Sequence, residues 1–205
     1  MKHAIPFLTL ALLAGAAPAL AQQAPAASPA LVESYLAATF GKASPDWQAR
    51  MKRDETLETC SKSRNKPSAA EAEAIVKREA ARMEWPKDGV LPGNWKDGFK
   101  VANEGRGGQF SDPPGTVNGG NCYACHQMDP TELSYGTLGP SLKAYGRERK
   151  YDPDAAKAAY GKIYNSQAVA ACSIMPRFGA NRVLSEQQIK DLVAYLFDPD
   201  SPVNK

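Results

Sequence analysis

Histidine is nearly absent from this sequence: His3 and His126 are the only two in 205 residues. Cysteine is almost as scarce, with Cys60, Cys122, Cys125 and Cys172 making four. A structural zinc site draws about four such ligands together, so a zinc framework is not expected. An excess of one charge is missing too. The 25 Lys and Arg are interspersed with 22 Asp and Glu, which argues against a nucleic-acid-binding face. Past the N-terminal leader no stretch is apolar for long enough to span a bilayer. No segment alternates in the manner of a half-buried strand, and the fold class expected is all-α.

What is present begins with that leader. Met1-Lys2-His3 is a short positive start, Ala4 to Leu13 is apolar, and Ala19-Leu20-Ala21 is an A-x-A cleavage pattern. Residues 1–21 read as a secretory signal peptide, cut after Ala21. The mature chain is then exported and carries no membrane span. His3 leaves with the leader, so His126 becomes the only histidine. Ligation of one metal by two histidines of this chain is thereby excluded.

The chain is organised around Cys122-Tyr123-Ala124-Cys125-His126, a C-x-x-C-H. This is the attachment pattern of a c-type haem. Two thiols on one turn each form a thioether to a vinyl group, and the next residue lies under the ring, where its imidazole reaches the iron. A redox C-x-x-C or half a zinc site is the competing interpretation.

Around this motif the chain reads as helices and turns. Ser28-Pro29 opens a short helix running to Phe40, and Ser44-Pro45-Asp46 repeats the start signal. Lys52 to Lys66 reads as charged and irregular. Ser68 and Glu71 form a capping box for an alanine-rich helix stopped by Trp85-Pro86. Residues 22–92 therefore read as a leader, a helical extension and a linker, with too few large apolar residues for a separate core. Residues 93–205 read as a second unit. It starts with a short helix containing Gly98, where glycine costs about 1 kcal/mol and so suggests a close helix crossing. Asp152-Pro153 starts another helix. Ser185 and Gln188 form a second capping box for the last one, whose apolar face is Ile189, Val193 and Leu196.

The sixth iron ligand is expected to be Met175. Met128 is too near His126 in sequence to pass over the ring edge. Met51 and Met83 sit on helices, where a core role is usual. Met175 lies in a loop stiffened by Pro176 and comes about 50 residues after His126. Histidine–methionine ligation raises the reduction potential, and it fills both axial positions, which argues against a haem sensor or peroxidase. Pro140, or the Gly139 peptide beside it, is a candidate acceptor for the second imidazole N–H. Arg177 is a candidate partner for a haem propionate.

Gly98-Phe99, the C-x-x-C-H, Gly139-Pro140, Met175-Pro176 and a closing helix with Tyr195 resemble class I cytochrome c. The resemblance implies that fold, with one covalent haem c, and an N-terminal helical extension added to it. A narrower resemblance rests on Asn121 to Met128, Gly139 to Leu142, Ile163-Tyr164-Asn165, Met175 to Gly179 and Leu192 to Leu196. These stretches are similar to the SoxX family, the small subunits of SoxAX cytochromes. That resemblance implies a periplasmic heterodimer with a SoxA-like monohaem or dihaem cytochrome. In that family the complex works as an L-cysteine S-thiosulfotransferase, joining thiosulfate oxidatively to a carrier protein's cysteine. The SoxX haem passes the electrons to a small cytochrome c, and no catalytic residue is expected in this chain. The alternative is a free-standing electron shuttle with the same haem.

Cys60 and Cys172 are left over. An even remainder in an exported protein suggests that they pair, tying the extension to the Met175 loop. Two free thiols, or a redox or metal role, are the other options.

Overall fold

A computed structural model describes residues 27–205 apart from 92, 110 and 114, and leaves the Asp46 side chain undescribed. The signal-peptide reading of residues 1–21 lies outside the described residues. The chain divides into two compact units, one ending at Lys42 and the other Ala43–Lys205. The first contributes α1, Pro29–Phe40, whose N-cap Ser28 accepts from the Leu31 amide as its Ser-Pro start predicts.

The second unit holds seven helices among the described residues, and no strand. Three belong to the extension: α2 (Pro45–Met51), α3 (Glu55–Lys62) and α4 (Ala69–Ala80). α3 corrects the irregular stretch expected there. Asp54 caps it by accepting from the Leu57 amide at 2.9 Å, Glu55 and Glu58 sit in its first turn and Lys62 in its last. Each charge thus opposes the helix dipole at its own end, and Thr56 and Cys60 form the buried face. The charges that made this stretch look irregular are the ones that cap it. α4 carries the Ser68–Glu71 capping box and buries Ile75 and Glu79. It stops before Trp85-Pro86 because Arg82 and Met83 donate only three residues back and tighten the end into turns. The linker also belongs to the core. Val90 is buried, the neighbouring Trp85 ring meets Tyr160 at a tilt with centroids 5.7 Å apart, and buried Lys190 reaches Asp88 at 2.7 Å.

The remaining helices are α5 (Trp95–Asn103), α6 (Tyr145–Glu148), α7 (Pro153–Tyr164) and α8 (Glu186–Phe197). α5 and α8 cross at Gly98. A Cβ there would stand 2.0 Å from the Asp191 carbonyl oxygen and 2.8 Å from the Tyr195 Cβ. Only glycine lets the two backbones approach so closely. Phe99 then meets Tyr195 edge-on at 5.8 Å. α7 adds Ala156, Tyr160, Ile163 and Tyr164 to the same core, and α8 adds Ile189, Leu192, Val193 and Leu196. α6 lies in a stretch that reads as turns. It starts from left-handed Ala144, whose amide donates to the Val203 carbonyl at 2.7 Å. A tertiary contact sets that start, so no local cap announces it.

Candidate haem site

The C-x-x-C-H is held between α5 and α8. The loop leading into it is tied back to α5 by the Gly120 amide on the Val101 carbonyl (2.8 Å) and the Asn121 amide on Glu104 (3.0 Å). Asn121 is left-handed, with φ 45°, and turns the chain into a single 3₁₀ turn over Cys122–Ala124. The Cys125 and His126 amides both donate to the Cys122 carbonyl, at 3.1 and 2.9 Å. The two cysteines and the histidine thus share one tight turn. The Tyr123 side chain anchors it, pairing its hydroxyl with that of Tyr195 at 2.7 Å while accepting from the Asp129 amide. Burial pushes both tyrosine hydroxyls above their usual range, so both stay neutral.

The thiols of Cys122 and Cys125 are not bonded to each other. Burial pushes the Cys122 thiol up to about 12. Redox C-x-x-C pairs and zinc sites work through a thiolate, which calls for a lowered value. Among the described residues no cluster of three or more His, Cys, Asp or Glu is arranged to hold a metal ion. Two unbonded cysteines on one turn suit a pair of thioethers.

The imidazole is fixed from the other side. Nδ1 of His126 lies 2.7 Å from the Pro140 carbonyl oxygen. A carbonyl only accepts, so Nδ1 carries the proton and Nε2 presents its lone pair. Gly139 lies flat on the ring. A Cβ on it would come within 2.2 Å of Cε1 and 2.5 Å of Nδ1. The turn is clipped to the motif by the Gly136 amide on Tyr123, the Gly139 amide on Cys125 and the Leu142 amide on Gln127, all between 2.7 and 2.8 Å. A ring held edge-on by a carbonyl and face-on by a glycine leaves Nε2 as its free donor. That donor set fits a haem iron.

Met175 sits in a loop between α7 and α8, partly buried against the core. The Ser166 hydroxyl donates to its carbonyl and the Ser173 hydroxyl accepts from its amide. Cys172, three residues earlier, is disulfide-bonded to Cys60 on α3, closing a separation of 112 residues. The expected pairing of the two leftover cysteines is therefore present. A cleft of about 320 Å³ runs along this junction, bordered by Cys60, Cys172, Met175, Arg177 and Val183.

Arg177, expected beside a propionate, is 4% exposed and turned toward the extension. One terminal nitrogen meets Glu79 at 2.9 Å and the other meets Asp54 at 2.8 Å. Burial alone would raise the Glu79 pKa. The Thr56 hydroxyl (2.6 Å), the Asn165 amide (2.9 Å) and the charges of Arg177 and Arg82 outweigh it and hold the carboxyl below its usual range. Glu79, Asp54 and Ser166 were not picked out by sequence reasoning, and Asn165 entered only as part of the Ile163-Tyr164-Asn165 resemblance. One signal was available for Glu79: it follows Ile75 by four residues and so shares the inward face of α4.

Comparison with known proteins defines the class. The cytochrome c family model matches residues 115–198. The chain therefore carries a cytochrome c domain, a module of haem-based electron transfer, in an all-α fold. That domain implies a covalently bound haem c. An uncharacterized lipoprotein of Aquifex aeolicus (strain VF5) is 38% identical to this chain over 142 residues, which cover 68% of this chain and 66% of the relative. The chain thus spans slightly less than two thirds of that relative's length.

Proposed function

We propose that Cys122 and Cys125 hold the haem and that His126 and Met175 ligate its iron. We further propose that the chain is the electron-relay subunit of a SoxAX-type complex. The observation that carries the ligand assignment is the His126–Pro140 hydrogen bond, with Gly139 closing the ring face. It selects the tautomer that a proximal ligand needs. When bound, the haem supplies a one-electron iron couple. The protein's own contribution is rigidity. A clipped turn orients the imidazole and a cross-linked loop positions the thioether, so little has to move on a change of iron charge.

The Sox assignment rests on residue pattern. Met175 to Gly179 and Ile163-Tyr164-Asn165 are shared with the SoxX small subunits. Here Asn165 and Arg177 converge on one carboxylate, Glu79, which gives both residues a structural reason. The partner proposed is a SoxA-like cytochrome subunit. It would take thiosulfate onto a carrier protein's cysteine, and electrons would leave through a small cytochrome c. Export to the periplasm fits this reading. It is supported by the signal-like leader, by the lipoprotein description of the Aquifex relative, and by the absence, among the described residues, of any helix able to cross a membrane.

Two measurements test the proposal. The ferric protein is expected to show the methionine–iron charge-transfer band, and Met175→Ala is expected to abolish it. A band that persists in that variant removes the ligand assignment. Co-expressed with a SoxA-like subunit, the chain is expected to co-elute on gel filtration. Separate elution favours the free-standing shuttle.

A further inference from the structure

The extension and the Met175 loop share one buried carboxylate. Glu79 on α4 is 1% exposed and accepts from four side chains. Thr56 of α3 and Asn165 at the end of α7 give 2.6 and 2.9 Å, Arg82 gives 3.0 Å and Arg177 gives 2.9 Å. Two of these partners flank Met175 from opposite sides. Arg177 follows it by two residues and is held by Glu79 and Asp54 together. Asn165 also donates to the Glu79 backbone carbonyl at 3.1 Å, and the next residue, Ser166, donates to the Met175 carbonyl. Both routes to the methionine backbone therefore begin at one side chain of the extension. Arg177 and Asn165 are themselves buried, so loss of the Glu79 carboxylate leaves two buried donors short of their acceptor.

We propose that Glu79 is the positioning residue for the axial thioether, and that the extension serves in this chain as a clamp on the iron's sixth ligand. The inference rests on the assignment of Met175 as that ligand. Glu79 acts through Arg177 and Asn165. The bond it guards is the weaker axial one, because a thioether is a soft, neutral donor on a loop.

The test uses the full haem-bearing protein and imidazole as a competing ligand. In Glu79→Gln the charge-transfer band is expected to weaken. Imidazole is expected to bind about tenfold more tightly, the scale set by one lost charged hydrogen bond. The reduction potential is expected to fall, because methionine ligation is what raises it. Deleting a negative charge by itself would raise the potential, so the sign separates positioning from plain electrostatics. Glu58→Gln, which removes an exposed ion pair with Lys62 on the same extension, is expected to leave all three readouts unchanged. A Glu79→Gln protein with the wild-type band and wild-type imidazole affinity overturns the proposal. Equal changes in Glu58→Gln, or a matching loss of far-ultraviolet helicity, do so as well. If Glu79→Gln does not fold, Arg177→Lys, which keeps the charge but loses the second nitrogen, is judged by the same outcomes. A wild-type protein lacking the band sinks the Met175 assignment and this inference with it. A wild-type band that ignores Glu79 sinks this inference alone.

Discussion

Gly139 lies against the His126 ring, and Glu79 gathers four donors at the junction with the Met175 loop. At Gly139 an added methyl would collide with three atoms of the His126 ring. Gly139→Ala is expected to drive the imidazole off the Pro140 carbonyl and to lower the yield of haem-bearing protein severalfold. Leu138→Ala, at an exposed neighbour, is expected to leave it intact; haem-to-protein absorbance ratios decide. At Glu79 the sign of the pH effect follows from its lowered pKa. The unfolded chain, with a glutamate near pH 4.3, takes up the proton first as the pH falls. The stability due to Glu79 is complete above about pH 4.3 and is lost as the pH drops through the folded value. Urea midpoints from about pH 6 to about pH 3 are expected to fall, and less steeply in Glu79→Gln. The candidate haem turn stands out in the sequence because its chemistry lies within five consecutive residues. The carboxylate hub does not, because its members are spread from Asp54 to Arg177 and meet only in the folded chain.

Helices advertised themselves where their ends carry local chemistry. The capping boxes at Ser68 and Ser185 and the Ser-Pro and Asp-Pro starts all mark real helices. α3 was missed although Asp54 is a sound cap, because its charges outweighed two inward positions, Thr56 and Cys60. The α5–α8 crossing was legible from a glycine placed where a helix would rather not have one. Gly98→Ala must push the two backbones apart, and is expected to lower stability by about 1–3 kcal/mol. Urea unfolding of the haem-bearing protein measures this. A loss of a few tenths would mean that the crossing relaxes freely.

Across the whole second unit, the disulfide joins parts of the chain that lie far apart in sequence. It closes a 112-residue separation, and the chain-entropy estimate for a loop of that size is about 5 kcal/mol. The double variant Cys60→Ser/Cys172→Ser is expected to lose a comparable amount, read as a lowered guanidinium midpoint. An unchanged midpoint would show that the extension holds its place by packing and ion pairs alone. That the two cysteines pair was legible by counting, since the haem motif uses the other two. How the extension is buried was not, because Ile75 packs with Cys60 and the distant Cys172, and Val90 joins a core built of chain that follows it.

The sequence positions of the four cysteines carry one last consequence. During synthesis Cys60 emerges first, Cys122 and Cys125 follow, and Cys172 comes last. If the chain enters an oxidising compartment N-terminus first, Cys60 meets two wrong mates before its own arrives. Correct maturation requires either that porphyrin attachment consumes the middle pair early or that a disulfide isomerase repairs the crossed product. Recombinant production without either helper should accumulate chains locked in the wrong linkage and unable to take up their prosthetic group.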